Sequence, residues 1–238
     1  MFAKVSAQWH HLGETEPHWS VLTNESYFQD NFQMNRGAFY ESGEAEIRAF
    51  ASTLARVGVD CADMKRCLEL GCGVGRVTVP LAKCFERVEA VDISSAHLHV
   101  AEEYVRSQQL TNVDFRHLDG IDGVAELGEF DLLYTRIVLQ HNPPPVMLRL
   151  LSDLLSRLRI DGLAYIQLPT YKAGYRFRID EYLQQKNVTD MEMHYLPQTA
   201  LFGLLSRQGC RILEIREDDA IGISAITISN TLLVQKQG

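Results

Sequence analysis

The chain has no apolar run near the ~20 residues that a bilayer-spanning helix requires. It also has no dense run of lysine or arginine: 23 basic residues stand against 31 acidic ones, a formal charge of −8. That balance leaves no electrostatic footprint for a nucleic-acid backbone or an anionic membrane, so neither is expected as a partner. The five cysteines, Cys61, Cys67, Cys72, Cys84 and Cys210, are odd in number and include no Cys-x-x-Cys pair. This argues against a disulfide framework and a structural zinc site, and for small, soft residues in or near a reduced core. Met1-Phe2-Ala3-Lys4-Val5 does not begin an uninterrupted apolar segment of the signal-peptide kind, and a cytoplasmic protein is expected. Internal repeats and low-complexity stretches are missing as well.

What the 238 residues do hold is 46% hydrophobic content, enough for one sizeable α/β core. Residues 1–45 are aromatic and irregular in pattern, with Trp9, Trp19, Tyr27, Phe28, Phe39 and Tyr40, and read as an N-terminal lid or substrate segment. From residue 46 onwards strands and helices alternate. Glu44 to Val57 reads as a helix ended by Gly58. Cys67–Leu70, Val88–Asp92, a strand from Val113, Phe130–Thr135 and Gly162–Leu168 read as strands, with helices over Arg76–Phe85, Ser95–Gln109 and Pro145–Leu158 between some of them. Such alternation implies a parallel sheet covered on both faces. A polar, aromatic insertion at about 169–198 breaks the rhythm, and a helix over Thr199–Gln208 stops at Gly209. Two late strands, Arg211–Ile215 and Ile226–Gln235, lie too close together for a crossover helix and suit an antiparallel pair.

Gly71, Gly73 and Gly75 follow the first strand directly and open a helix. A strand that turns this sharply, with backbone brought against a ligand, needs residues without a Cβ. In an open α/β sheet that crevice is the usual ligand site. The spacing discriminates between ligands. A dinucleotide fingerprint is Gly-x-Gly-x-x-Gly; here Arg76 stands at the position of its third glycine. A P-loop would need Gly-Lys-Ser/Thr, and none is present.

Leu68-Glu69-Leu70-Gly71-Cys72-Gly73-Val74-Gly75 resembles the first motif of the class I S-adenosylmethionine-dependent methyltransferases, and the resemblance extends over residues 66–168. It implies a Rossmann-like three-layer sandwich with a mostly parallel seven-stranded sheet and an antiparallel last strand. It also implies S-adenosylmethionine as cofactor and S-adenosylhomocysteine as product. On that resemblance Gly71, Cys72, Gly73 and Gly75 pass beneath the methionine part and Glu69 orients its amino end. Asp92 would accept both ribose hydroxyls, charge-assisted bonds stronger than neutral ones. Ile93 would pack on the adenine, with Asp119 and Gly120 near its edge. Thr135 and Arg136 end the fourth strand on the cofactor side, and Tyr40 and Gly43 precede the core as lid contacts. Asp161-Gly162-Leu163 replaces the Pro-Gly-Gly more common in the family before strand five.

The methyl acceptor is less legible. His141 follows the fourth strand and is a candidate general base, or else a structural histidine holding the loop Asn142-Pro143-Pro144-Pro145. His194, in the insertion, is a second candidate for catalysis and for substrate binding. Trp19, Tyr27, Gln140 and Tyr171 are candidate substrate contacts, although aromatic residues in a lid can equally serve its packing. A small-molecule or saccharide acceptor fits an aromatic lid with a polar insertion. The alternatives are methylation of a protein or peptide, and a cofactor-binding module without transfer; an NAD-dependent oxidoreductase is disfavoured by the glycine spacing. No metal site is expected.

Overall fold

One apolar stripe, Phe32, Phe39, Tyr40, Ile47, Phe50 and Leu54, is buried along a single helix, α3 (Gln29–Val57). The computed structural model describes residues 1–60, 62–185 and 191–238; Cys61 and residues 186–190 of the expected insertion lie outside them. The helix expected from Glu44 therefore begins 15 residues earlier, because the aromatics that read as irregular continue its 3.6-residue period. The rest of the N-terminal segment is also largely helical, as α1 (Phe2–Thr15) and α2 (Pro17–Val21). Pro17 stands at the first helical position of α2, where its missing N–H costs nothing. Gly58 ends α3 in the left-handed region at φ 68°, its N–H bonded back to the last turn.

The chain divides into two compact units, Trp9–Asp119, and Met1–Gln8 together with Gly120–Gly238. In the first, β1 (Arg66–Leu70), β2 (Arg87–Asp92) and β3 (Val113–His117) pair in parallel in the order β3-β2-β1. The short α4 (Thr78–Cys84) and α5 (Ser95–Ser107) connect them. Ser94 caps α5 by accepting the His97 N–H.

In the second unit, β4 (Phe130–Thr135) leads through α6 (Pro144–Arg157) to a parallel β5 (Leu158–Lys172). After α7 (Ile179–Gln184) and α8 (Gln198–Arg207), β6 (Cys210–Asp218) and β7 (Thr227–Lys236) pair antiparallel, and β7 also runs antiparallel to β5. The full strand order is β3-β2-β1-β4-β5-β7-β6, the seven-stranded, mostly parallel Rossmann-like sheet that the sequence implied.

β5 is longer than expected at both ends. Asp161, read as part of a turn before the strand, and Gly162, read as its first residue, both lie inside it. Asp161 has φ 65°, and a Cβ on Gly162 would come within 2.9 Å of the Asp131 carbonyl oxygen. At the other end Pro169 sits beside a register shift against β7, where an absent N–H is tolerated. Of the four described cysteines Cys67 and Cys72 are buried and Cys210 is intermediate, but Cys84 is exposed at the end of α4, outside the core expected for it. No described helix is long and apolar enough to cross a membrane.

Candidate functional site

In the Trp9–Asp119 unit the β1–α4 connection turns on three left-handed glycines, Gly71 (φ 76°), Gly73 (φ 53°) and Gly75 (φ 81°). Side chains are excluded by space as well as by φ: a Cβ on Gly73 would lie 2.7 Å from Val21 Cγ2, and one on Gly75 3.3 Å from the Ala101 backbone. The loop is anchored on β2, where Gly71 and Cys72 N–H both donate to the Val91 carbonyl. Asp92 completes the anchor. Its Oδ2 accepts the Gly73 N–H at 2.8 Å and its Oδ1 the Ser94 N–H at 2.9 Å. A carboxylate offers about four lone-pair sites, so two remain for a ligand's hydroxyls.

Glu69 lies beneath the loop, where burial pushes its carboxyl up to about 8, and Thr78 Oγ1 donates to Oε2 at 2.6 Å. Arg76 does not neutralise it by contact. Its Nη2 bonds Glu46 of α3 at 2.6 Å, its Nη1 bonds Ser42, and its buried Nε has no acceptor among the described residues. The loop therefore presents a buried acid with no cation in hydrogen-bond contact among the described residues and, on the paired Arg76, one buried N–H without an acceptor. These groups fit the zwitterionic amino-acid end of S-adenosylmethionine, as Asp92 fits its ribose.

The N-terminal aromatics close on each other. Trp19 stacks on Phe28 at 5.0 Å, Tyr27 meets Phe39 edge-on at 5.0 Å, and Tyr40 stacks on Tyr104 with the Arg36 guanidinium 5.1 Å from its ring. Gly43 has a packing reason of its own: a Cβ there would stand 2.1 Å from the Arg76 carbonyl oxygen.

In the other unit the turn after β4 carries backbone strain. Ile137, a β-branched residue, has φ 59°. The buried Gln167 of β5 holds it there, accepting the Ile137 N–H at 2.8 Å and donating to Ser229 of β7 at 2.7 Å. Thr135 Oγ1 and Gln140 Oε1 beside this turn are buried without a hydrogen-bond partner among the described residues. The insertion docks on the same turn: His194 N–H donates to the Gln140 carbonyl at 2.7 Å, and His141 Nδ1 lies 2.9 Å from the Glu192 carbonyl. A carbonyl only accepts, so Nδ1 carries the His141 hydrogen. Burial lowers His141 to about 4. Tyr175, Phe177, Tyr182, Glu192 and His194 line a pocket of about 230 Å³ in the insertion.

Residues 67–162 match the family model described as a methyltransferase domain. Over 103 residues the chain is 36% identical to trans-aconitate 2-methyltransferase of Deinococcus radiodurans, covering 43% of this chain and 37% of that protein. It is 30% identical over 103 residues to a protein-L-isoaspartate O-methyltransferase of Methylobacillus flagellatus, 43% of each. The matched stretch thus spans less than half the length of these curated relatives. The structure resembles that of magnesium protoporphyrin IX methyltransferase from Synechocystis PCC 6803 with bound S-adenosylhomocysteine. The TM-score is 0.64 with 16% identity, over 98% of this chain and 100% of that one, a likeness of fold. Residues 67–162 are thus similar to the methyltransferase-domain family, and the fold is the one that solved methyltransferase structures share.

The expected cofactor residues fall into two groups. Glu69, Gly71, Cys72, Gly73, Gly75 and Asp92 meet at one loop, with Ile93 half-buried next to Asp92. Burial pushes the Cys72 thiol well above its usual range, as suits a packing residue rather than a nucleophile. Asp119 has an exposed side chain paired with His117 Nδ1 at 2.7 Å, and His117 Nε2 lies 3.1 Å from the Ile93 carbonyl. In the other unit Gly120 and Arg136 are half-buried and Thr135 is fully buried. Tyr171 is exposed on β5 and lies outside the residues lining the insertion pocket. Trp19 and Tyr27 pack within the N-terminal cluster. The sequence reading missed Arg76 as an anchor of α3, and missed Gln167 and Glu192. The one available signal was the pairing of Glu192 with His194 two residues on, on the same strip of chain.

Proposed function

We propose that this chain transfers the methyl group of S-adenosylmethionine to a small-molecule acceptor, with cofactor recognition in the Trp9–Asp119 unit and acceptor recognition by the insertion after β5. When bound, the cofactor supplies a sulfonium methyl that a nucleophile displaces, the C–S electron pair staying on sulfur. Asp92 would hold the ribose hydroxyls and Glu69 the amino group. Arg76 Nε would take the carboxylate, and the glycines would let the backbone approach. The N-terminal segment 1–45 would act as the lid. In the other unit Thr135 and Gln140, each with a buried oxygen lacking a partner among the described residues, would orient donors of the ligands.

The observation that supports the acceptor half is the pocket of about 230 Å³ lined by Tyr175, Arg176, Phe177, Arg178, Tyr182 and His194 among others, a polar, aromatic site of a volume suited to a small molecule. A relative named for trans-aconitate, a small acid, supports the same class. A cytoplasmic setting is part of the same reading; the acidic charge agrees with it, and no helix among the described residues is long and apolar enough to cross a membrane.

Calorimetry with S-adenosylmethionine, S-adenosylhomocysteine and NAD tests the cofactor. Release of S-adenosylhomocysteine over a panel of small acids, phenols, amines, saccharides and short peptides tests the acceptor. NAD binding without response to the sulfur cofactors would overturn the proposal, and so would turnover of peptides alone.

A further inference from the structure

Helix α2 lies over the glycine loop within the Trp9–Asp119 unit. A Cβ on Gly73 would stand 2.7 Å from Val21 Cγ2, and Val21 and Leu22 pack against the cluster of Phe32, Phe39, Tyr40 and Val74. One buried contact fastens this short helix to α5. His97 Nε2 lies 2.8 Å from Ser20 Oγ, and both side chains are buried. Ser20 Oγ donates its one hydrogen to the Pro17 carbonyl at 3.0 Å, so it accepts from His97, and Nε2 carries the imidazole hydrogen. Nδ1 keeps its lone pair and is buried without a partner among the described residues. It faces Gly13 of α1, where a Cβ would stand 2.6 Å from Nδ1 and 2.6 Å from Ser94 Oγ. The glycine thus lets α1 close over the one ring nitrogen that can take a further proton.

Resting on the methyltransferase reading, we propose that α2 is a gate over the cofactor loop, latched through Ser20 to His97 and released when His97 takes up a proton. A proton on Nδ1 makes a buried charge and a buried N–H with no acceptor. Both are relieved when α2 lifts and water reaches the ring. The helix is suited to move. It has five residues, and Ser20 is the one that is buried, so the latch is where it is held. Exposed residues flank it, Glu14 and Thr15 before and Thr23 and Asn24 after. Closed, α2 covers the approach to Gly73; open, it leaves the loop to the ligand. The gate therefore sets the rate at which cofactor enters and leaves.

The groups around His97 set the direction of the switch. Burial holds it below its usual 6.5, and His10 of α1 adds to the fall, while Asp92 of β2 and the Pro17 carbonyl oppose it. His18 of α2, stacked on Phe32 at 3.4 Å, is lowered to about 4 by burial, with His97 and Arg36 adding to the fall, so it is still mostly neutral at pH 5. Once the gate opens, His97 is solvated and returns towards 6.5. The closed state thus binds fewer protons than the open one. Its stability is fully present above 6.5 and is lost as pH falls from there through the lower value of the closed state.

The chain's two tryptophans report the gate: the Trp9 ring lies 6.1 Å from His97, and Trp19 is on α2 itself, stacked on Phe28. The test follows their fluorescence in the full, cofactor-free chain from pH 8 to 5, with far-UV circular dichroism as the check on folding. A change that begins below pH 6.5 at constant circular dichroism is expected. In the wild type, the hydrogen-exchange protection of the α2 amides should fall over the same range. His97→Gln keeps an N–H for Ser20 but takes up no proton, and should abolish the transition; His18→Gln should keep it. Ser20→Ala should show the acid-form fluorescence already at pH 8. In stopped-flow mixing with S-adenosylhomocysteine, the ratio of the wild-type association rate to that of His97→Gln should rise severalfold from pH 8 to 5; both proteins share the titration of Glu69, which cancels. Flat fluorescence, constant α2 protection, a transition that His97→Gln keeps or His18→Gln removes, or a constant rate ratio overturns the latch and leaves the methyltransferase reading standing. S-adenosylhomocysteine that binds at no pH overturns that reading and the gate's part in cofactor entry, whatever the fluorescence of the cofactor-free chain shows.

Discussion

Asp92→Asn separates the loop-pinning bonds of the carboxylate from the ribose recognition proposed for it. In the structure each oxygen accepts a backbone N–H, Gly73 on Oδ2 and Ser94 on Oδ1. Asparagine keeps one carbonyl oxygen and turns the other acceptor into a donor, so one of these N–H groups faces an N–H. Asp92 is 8% exposed, and water cannot readily replace the lost partner. An unsatisfied buried donor costs about 1–3 kcal/mol. At about 2–4 °C per kcal/mol for a chain of this size, the melting temperature should fall by roughly 2–12 °C. The two lone-pair sites left for the ribose lose their charge, and hydrogen bonds to a charged group contribute about 1.5–3 kcal/mol. S-adenosylhomocysteine affinity should therefore fall roughly 10- to 160-fold. Thermal melts without cofactor read the first role and titration calorimetry the second. A variant that melts with the wild type refutes the pinning of the loop, and an unchanged dissociation constant refutes ribose recognition.

Two further perturbations address groups buried near the site. Glu69 has an ordinary value of 4.5 that burial raises to about 8, so its contribution to stability is complete below 4.5 and is lost as pH rises through 8. The cofactor-free protein should lose stability over that window while Glu69→Gln shows a flatter profile in thermal melts, and identical profiles would refute the buried neutral acid. Because an ammonium group beside Glu69 favours its ionised form, cofactor binding at pH 7 should release a proton, seen as a heat that varies with buffer ionisation enthalpy. Gln167→Met removes the acceptor that holds the Ile137 N–H and should destabilise by about 1–3 kcal/mol in urea unfolding. Adding Ile137→Gly should recover part of that loss by relieving the left-handed strain; strictly additive effects would show that Gln167 does not hold the turn.

The parts legible in the sequence are those whose cause is local. A strand running into alternating glycines states its own geometry, because positive φ at Gly71, Gly73 and Gly75 is written in the residue type. The central strands are likewise announced by continuous apolar runs, since a parallel strand is buried on both faces. The N-terminal segment failed that test. Its helical stripe is made of aromatics spaced seven and eight residues apart, which in a short window look irregular.

The illegible parts are those where a side chain answers to a distant one. Arg76 and Glu46 are separated by 30 residues, Gln167 and Ser229 by 62. Ile137 gives no sign in its own identity that it will be held in a region it disfavours, because the holding group is on another strand. Arg76 shows how much such a residue can mean. In the sequence it served only to exclude a dinucleotide, standing where a third glycine would be. In the fold that position faces α3, where glycine at 43 admits the Arg76 carbonyl and Glu46 takes its guanidinium. A buried ion pair contributes little net stability over a well-packed apolar pair, but losing one partner is costly. Arg76 and Glu46 therefore act less as a source of stability than as a constraint that fixes where α3 meets the glycine loop, and the departure from the dinucleotide pattern and the seating of the N-terminal helix have one physical cause.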